Sequence, residues 1–420
     1  MAYSGDRKAL KESLYNELEL QLDLAIQGIS VDAGEIGKLN TSHATELLNA
    51  TAASPLAFNF VGGKIKGPGF DTGFRQQNNS IYGLEAEEGN PVIYKYGKNK
   101  SRIGEIEFRN RTRHPLLDLK TRDGVPFHTI ASVREDGQVH VNYSQECVLK
   151  EKGEDCFFCN YSVRNATLKT PQQVGEVFST LYEAGVGKHL NLTSGFLFER
   201  KELDYYLDVA DEIQNRTGLK EFRATAVVGA PLDFSVIDKY KEAGYFSIRM
   251  NIEIWDKNIW NTICPGKRNH CGGWDNWVKA LEYAADVFGK GRVASNIVGG
   301  IEPKNSILEG IEYKASKGII GSASTWRAVV GSVLEGHRSP ETAWHFDLQQ
   351  KIASIYKRYG FSFSDLHNVS PSAGLATTIY QIEQEDFDDK GILTPWQYPE
   401  PQQMLQSALA DEPQIIYEET

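Results

Sequence analysis

From Gln138 to about residue 360 the chain repeats one pattern, a short β-type run followed by an amphipathic helical run. The spacing predicts strands over Gln138–Ser144, His189–Ser194, Phe222–Val228, Tyr245–Ile254, Arg292–Val298 and Ser324–Val330. Between them it predicts helices from Thr170-Pro171 to about Gly185, then Leu203–Asn215, Ser235–Ala243, Trp274–Phe288 and Ile307–Lys317, with a further one opened by Ser339-Pro340. Strands separated by helices at this pitch imply a parallel sheet with right-handed crossovers. Six such units give an α/β fold, a full or partial (β/α)6–8 TIM-like barrel, whose chemistry belongs on the loops that follow the strands.

The organisation before residue 137 is different. A helix is predicted over roughly Lys8 to Gln27, with Leu10, Leu14, Leu18 and Leu22 at helical spacing, then a Gly/Asn-rich stretch and short strands at 92–96 and 101–108. The expected division is an N-terminal accessory α+β segment over 1–136, a barrel core over 137–360, and a helical extension with an acidic tail over 361–420. A net charge of −11 and the lack of a basic, aromatic-interleaved stripe argue against nucleic acid as a partner. Apolar runs fall short of the ~18 residues that span a membrane, and the segment after Met1 is polar, so the expectation is a cytoplasmic chain with no membrane partner.

Three of the five cysteines, Cys147, Cys156 and Cys159, lie within thirteen residues. A C-x2-C turn lets two sulfurs face one ion or cluster, and three thiolates leave a four-iron cubane with one iron open. The alternative is a structural zinc site completed by a distant Cys or His. Position argues for catalysis, because the cysteines sit on the loop after the first predicted strand. In the fourth predicted strand, Arg249, Asn251 and Glu253 alternate with apolar Met250, Ile252 and Ile254, where a parallel barrel strand is expected to be apolar on both faces. That face is either a satisfied buried ion pair or a polar lumen for a polar ligand.

Taken together these segments resemble the radical S-adenosylmethionine superfamily, closest in motif style to biotin synthase and the hydrogenase maturases. Phe158-Cys159 is similar to the end of its cluster loop, and Thr193-Ser194-Gly195 to the second-strand motif that holds the methionyl amino group. Glu253, with Arg249 and Asn251, stands where relatives present polar groups to the ribose or the methionine end. Val298-Gly299, within Asn296–Glu302, is similar to the fifth-strand segment beside adenine, and Val329–Leu334 to a sixth-strand backbone contact. The first cysteine spacing departs from the common C-x3-C-x2-C: here it is C-x8-C-x2-C, the polar insertion Lys150–Asp155 being expected to bulge into water.

The resemblance implies a [4Fe–4S] cluster on Cys147, Cys156 and Cys159, with S-adenosylmethionine on the open iron and Phe158, Thr193, Ser194, Gly195, Arg249, Asn251, Glu253, Val298 and Gly299 around it. Reductive cleavage would give a 5′-deoxyadenosyl radical that takes hydrogen from a small biosynthetic substrate, fed by an external flavodoxin- or ferredoxin-type donor. Cys264 and Cys271, on the loop after the fourth strand, are candidate catalytic thiols, as radical quenchers, methyl carriers or metal ligands with His270, or else plain lid cysteines. No D-x-H-x-x-G cobalamin signature is present. A peptide or protein substrate and a non-enzymatic zinc-stabilised scaffold are the competing readings.

Overall fold

The computed structural model describes residues 4–50, 56–65, 73–108, 114–160, 168–370 and 374–399. The acidic tail lies outside these. Six strands run parallel in chain order across one sheet: β1 (Gln138–Ser144), β2 (His189–Ser194), β3 (Phe222–Val227), β4 (Tyr245–Arg249), β5 (Val293–Gly299) and β6 (Ile320–Thr325). The two-residue strand Ser132–Val133 adds antiparallel to the β1 edge, and that edge does not pair with β6. The fold is therefore α/β with an open, partial barrel.

Local chemistry explains the helices between. After α1 (Ser4–Gln27) come α2 (Pro171–Glu183), α3 (Glu199–Thr217), α4 (Ser235–Glu242), α5 (Gly273–Phe288), α6 (Lys304–Ser316), α7 (Thr342–Arg358) and α8 (Leu375–Glu383). Thr170 and Gln173 form a reciprocal capping box with Pro171 in the first turn, so two orphan donors are satisfied and φ is already helical where α2 begins. α3 stops at Gly218, whose φ of +74° is the left-handed turn a helix C-terminus asks for.

Alternation along the strands divides two environments. Val139, Val141, Tyr143, Leu190, Leu192, Ala224 and Ala226 are fully buried in the core beneath the helices. The opposite parity is polar, and its members bond one another across strands: His140 with Asn191 (2.7 Å), His189 with Thr225 (2.8 Å), Thr225 with Ser247 (2.8 Å), and Asn296 with Ser322 (3.0 Å) and Ser324 (3.1 Å). Polarity thus runs across the whole concave face, where the sequence singled out only the fourth strand.

Two strand boundaries differ from expectation. β4 ends at Arg249, and four residues on Glu253 takes a φ of +73°, outside any strand, and meets β5 only through an isolated bridge to Ile297. β6 lies four residues earlier than predicted. It is built of Gly321, Ser322, Ala323 and Ser324, small residues with little β propensity, while the β-branched Val330 and Val333 are 71% and 61% exposed on the loop beyond.

The N-terminal part is a second, six-stranded sheet ordered Ser30–Val31, Tyr82–Glu87, Asn90–Lys95, Ser101–Phe108, Leu56–Phe60 and Gly73–Phe74. Helix α1 belongs to both bodies. Its Leu14, Leu18 and Leu22 are fully buried in the barrel core, whereas Leu24 joins the core of the small sheet. Asp23 accepts from Tyr82 of that sheet and from Thr342 of α7, both at 2.6 Å. Among the described residues, no helix is long and apolar enough to cross a membrane.

Candidate active site

The loop after β1 carries the three cysteines and is fixed on both sides. Gly195 N–H donates to Ser144 O (3.1 Å) and Val148 N–H to Phe196 O (2.9 Å), which locks Cys147 against the end of β2. Gly195 is required by this approach: a Cβ there would lie 2.1 Å from Glu146 O and 3.0 Å from Cys147 Cβ. Within the C-x2-C turn, Cys159 N–H donates to Cys156 O (2.9 Å), Phe157 N–H to Ile263 O (3.0 Å), and Leu334 N–H returns to Phe157 O (3.0 Å). The loops after β4 and β6 therefore hold the turn.

The insertion does not simply bulge into water. Glu151, Lys152 and Gly153 are exposed, but Lys150, Glu154 and Asp155 are half-buried. Glu154 grips the short helix Pro265–His270: its carboxylate accepts from Asn269 (3.0 Å) and pairs with His270 (2.7 Å), and its carbonyl accepts from Gly266 N–H (2.9 Å). These contacts hold the Glu154 carboxyl below its usual range, through Asn269 first and His270 next. The extra residues anchor the cluster loop to the loop after β4.

All three cysteines open on one cavity of ≈ 340 Å³, shared with Phe158, Thr193, Ser194, Gly195, Asn251 and Glu253. The other predicted positions stand back from it. Arg249 is buried within β4, and Val298 and Gly299 lie at the end of β5, where Val298 N–H donates to Glu253 O at 2.7 Å. Cys264 and Cys271 are buried, at 0% and 1% exposure, and neither lines the cavity. Burial pushes the Cys264 thiol well up and the Cys271 thiol up to about 12.

Three polar groups on the cavity wall escaped sequence reasoning. Lys267 donates to Asn251 O (2.9 Å) and Glu253 Oε1 (3.0 Å) and lies over the Trp277 ring at 4.5 Å. Burial alone would lower its ammonium, but Glu253 and the Cys156 and Cys264 thiols outweigh burial and the net shift is upward. Glu202, on α3, is buried and accepts from Gly229 N–H (3.1 Å); burial pushes its carboxyl up to about 8. His140, on β1, is lowered to about 4 by burial, with Arg134 and Lys169 adding to it. A signal for Glu202 existed: it falls on the helical stripe of Tyr206, Val209 and Ile213.

The donor set suits an iron–sulfur group. Cys156 is held below the ordinary thiol range by the Cys264 thiol first and by Lys267, against the opposing effect of burial, so the ligating form is favoured. Among the described residues, no group of three His, Cys, Asp or Glu side chains is close enough to hold a single metal ion.

Residues 141–313 match the family model described as the Radical SAM superfamily. The bacteriochlorophyllide c C-7(1)-hydroxylase of Chlorobaculum limnaeum is 25% identical over 265 residues, 57% of this chain and 65% of that relative, so less than two thirds of the relative's length is matched. Similar solved structures include methylornithine synthase (PylB), with a TM-score of 0.41 at 18% identity over 68% of this chain and 82% of that one. Another is HydG, a maturase of the [FeFe]-hydrogenase, with a TM-score of 0.37 at 14% identity over 65% and 63%. Over residues 141–313 the chain is thus similar to the radical SAM superfamily, a family of iron–sulfur enzymes that use a [4Fe–4S] cluster and S-adenosylmethionine.

Proposed function

We propose that Cys147, Cys156 and Cys159 hold the cluster and that the enzyme takes a hydrogen atom from a small-molecule biosynthetic substrate. The observation that carries this reading is the opening of all three thiols on one cavity with Thr193, Ser194, Gly195, Asn251 and Glu253. When bound, the cluster and S-adenosylmethionine supply one-electron cleavage of the sulfonium to a 5′-deoxyadenosyl radical. The chain's own groups orient the cofactor. Thr193 and Ser194 offer hydroxyls to the methionyl end, and the Asn251 amide and Glu253, held in place by Lys267, face the same space. Phe158 packs beside them, Val298 and Gly299 shape the adenine side through Glu253, and Arg249 backs the wall from β4.

Room for a substrate adjoins this cavity. A second cavity, ≈ 470 Å³, shares Phe196, Glu202 and Gly229 with the first and is otherwise bounded largely by apolar side chains such as Leu197, Val236 and Tyr240. Both volumes suit one small ligand each, which supports a small metabolite beside the cofactor. The relative's name denotes hydroxylation at a carbon, which supports hydrogen removal from a C–H bond as the opening step. The burial of Cys264 and Cys271 supports roles behind the site rather than at the reacting atoms. In this reading 137–360 is the catalytic core, 1–136 an accessory segment and 361–420 an extension. The electron donor is a cytoplasmic flavodoxin or ferredoxin.

The test is anaerobic reconstitution with iron and sulfide, reduction with S-adenosylmethionine, and chromatography for 5′-deoxyadenosine. Brown protein that makes the nucleoside, beside a Cys156→Ala/Cys159→Ala variant that does not, is the expected result. Colourless protein that makes none would overturn the reading.

A further inference from the structure

We infer that the second cavity binds its ligand by a cationic nitrogen: an apolar amine whose ammonium group sits on the Glu202 carboxylate, where this cavity meets the one the cysteines share. The inference deepens, and rests on, the reading of that space as the substrate's.

Glu202 lies in the first turn of α3, is 5% exposed, and lines both cavities. Gly229 N–H, on the loop after β3, donates to its Oε2 at 3.1 Å. Among the described residues no donor reaches the other oxygen and no cation pairs with the group. The titratable groups that face it are Glu199 and Tyr206 of its own helix, Tyr240 of α4 and Cys271 of the loop after β4, and none of these carries positive charge. A buried carboxylate without a counter-charge is costly. Anchoring the loop does not account for the residue, since a neutral amide would accept from Gly229 equally well.

The rest of the lining suits an ammonium better than an anion. Glu199 and Asp233 add two carboxylates, whereas Arg200 is exposed to solvent and His270 is committed to Glu154 at 2.7 Å. Phe196, Phe198 and Tyr240 supply aromatic rings, which attract a cation as well as an apolar body. Gly229 makes the junction: a Cβ there would lie 2.9 Å from Phe196 Cε2 and 3.9 Å from Glu202 Oε2. Burial raises the carboxyl to about 8, so without a ligand it holds a proton, and an arriving ammonium expels that proton and forms a charge-assisted hydrogen bond in its place. Because Glu202 stands on the shared boundary, the carbon beside the nitrogen is the part of the ligand presented to the cofactor cavity.

The experiment is isothermal titration calorimetry of the full chain with phenethylamine, its neutral isostere phenethyl alcohol, and the anion phenylpropionate, in the parent and Glu202→Gln. The parent should bind the amine at least ~10-fold more tightly than the alcohol and the anion most weakly, and Glu202→Gln should bring the amine down to the level of the alcohol while leaving the alcohol unchanged. In the parent, amine affinity should rise about tenfold or more between about pH 6 and pH 8, as the carboxyl becomes easier to ionise; this arm stands without the variant should the variant fail to fold. A parent that binds the amine no more tightly than the alcohol, or binds neither, overturns the proposal, as does a glutamine variant that keeps the preference. An alcohol that binds more tightly than the amine, and loses affinity as pH rises, overturns it in favour of a neutral acid donating to its ligand. Iron content and 5′-deoxyadenosine formation, measured on the same preparation, test the cofactor assignment separately, because their failure leaves the amine preference to be read on its own.

Discussion

Glu202 occupies a position on α3 where the helical stripe calls for an apolar side chain, and the consequence is a carboxyl that holds its proton at neutral pH. Burial raises it from 4.5 to about 8; the Gly229 N–H opposes the rise and Glu199 adds to it. The folded value lies above the unfolded one, so the native state binds the proton more tightly. Stability from this group is fully present below the unfolded value of 4.5 and is lost as pH rises through the folded value near 8. Glu202→Gln should therefore flatten the fall in urea midpoint between about pH 5 and pH 9, leaving the variant more stable than the parent at the alkaline end by on the order of a few kcal/mol at most. Parallel profiles for the two proteins would contradict this. The same residue shows what was legible at this scale. Cys147, Cys156, Cys159 and Thr193-Ser194-Gly195 could be found because their spacing along the chain is their signature. Lys267 could not, since in Lys267-Arg268-Asn269-His270 it reads as one more surface base until the fold sets it over Trp277 and against Glu253.

At the scale of elements, the site depends on how closely two loop segments can approach. The end of β2 reaches the cysteine loop only because position 195 has no side chain. A methyl group there meets backbone atoms of Glu146, which cannot swing aside as a flexible side chain would, so Gly195→Ala should displace Cys147. The expected outcome is a folded protein, by circular dichroism, with markedly less iron per chain after reconstitution. Normal iron content would show that the loop can retreat without losing the ligand. Most barrel elements were legible because periodicity is a local property: β1 and β2 fall where the alternation of polar and apolar residues puts them. β6 was not, because Gly321-Ser322-Ala323-Ser324 is chosen for close packing beneath α6 and α7 rather than for β propensity, and Tyr356 OH donates to Gly321 O at 2.6 Å in that space. The end of β4 was missed for another reason. A polar-apolar alternation continues through Glu253, but the backbone has already left the ladder.

For the molecule as a whole, α1 is the member that ties two sheets together. Leu18 is fully buried in the barrel core although it lies in the N-terminal part of the chain. Leu18→Ala should cost ~2–5 kcal/mol, the usual range for emptying a buried leucine site. The measurement is equilibrium urea unfolding, and a loss well under 1 kcal/mol would mean that α1 is a detachable accessory. The sequence boundary near residue 137 separates two patterns of secondary structure. It does not separate two cores, because a leucine at every fourth position says that a helix has a partner but not which one.

The same helix sets a condition on biosynthesis. α1 is translated before the strands of either sheet, yet its partners include α8 and the loop after β6: Lys11 pairs with Glu383 at 3.2 Å, and Arg327 reaches back to Ala25 O at 3.0 Å. Closing a loop of more than 300 residues carries an entropic cost and delays the contact, since the far end must first exist. Until the ribosome has passed α8, the leucine seam of α1 has nowhere to dry, and it is a surface that chaperones are suited to hold. Seating α1 is in that sense a late event of folding, although the helix is made early.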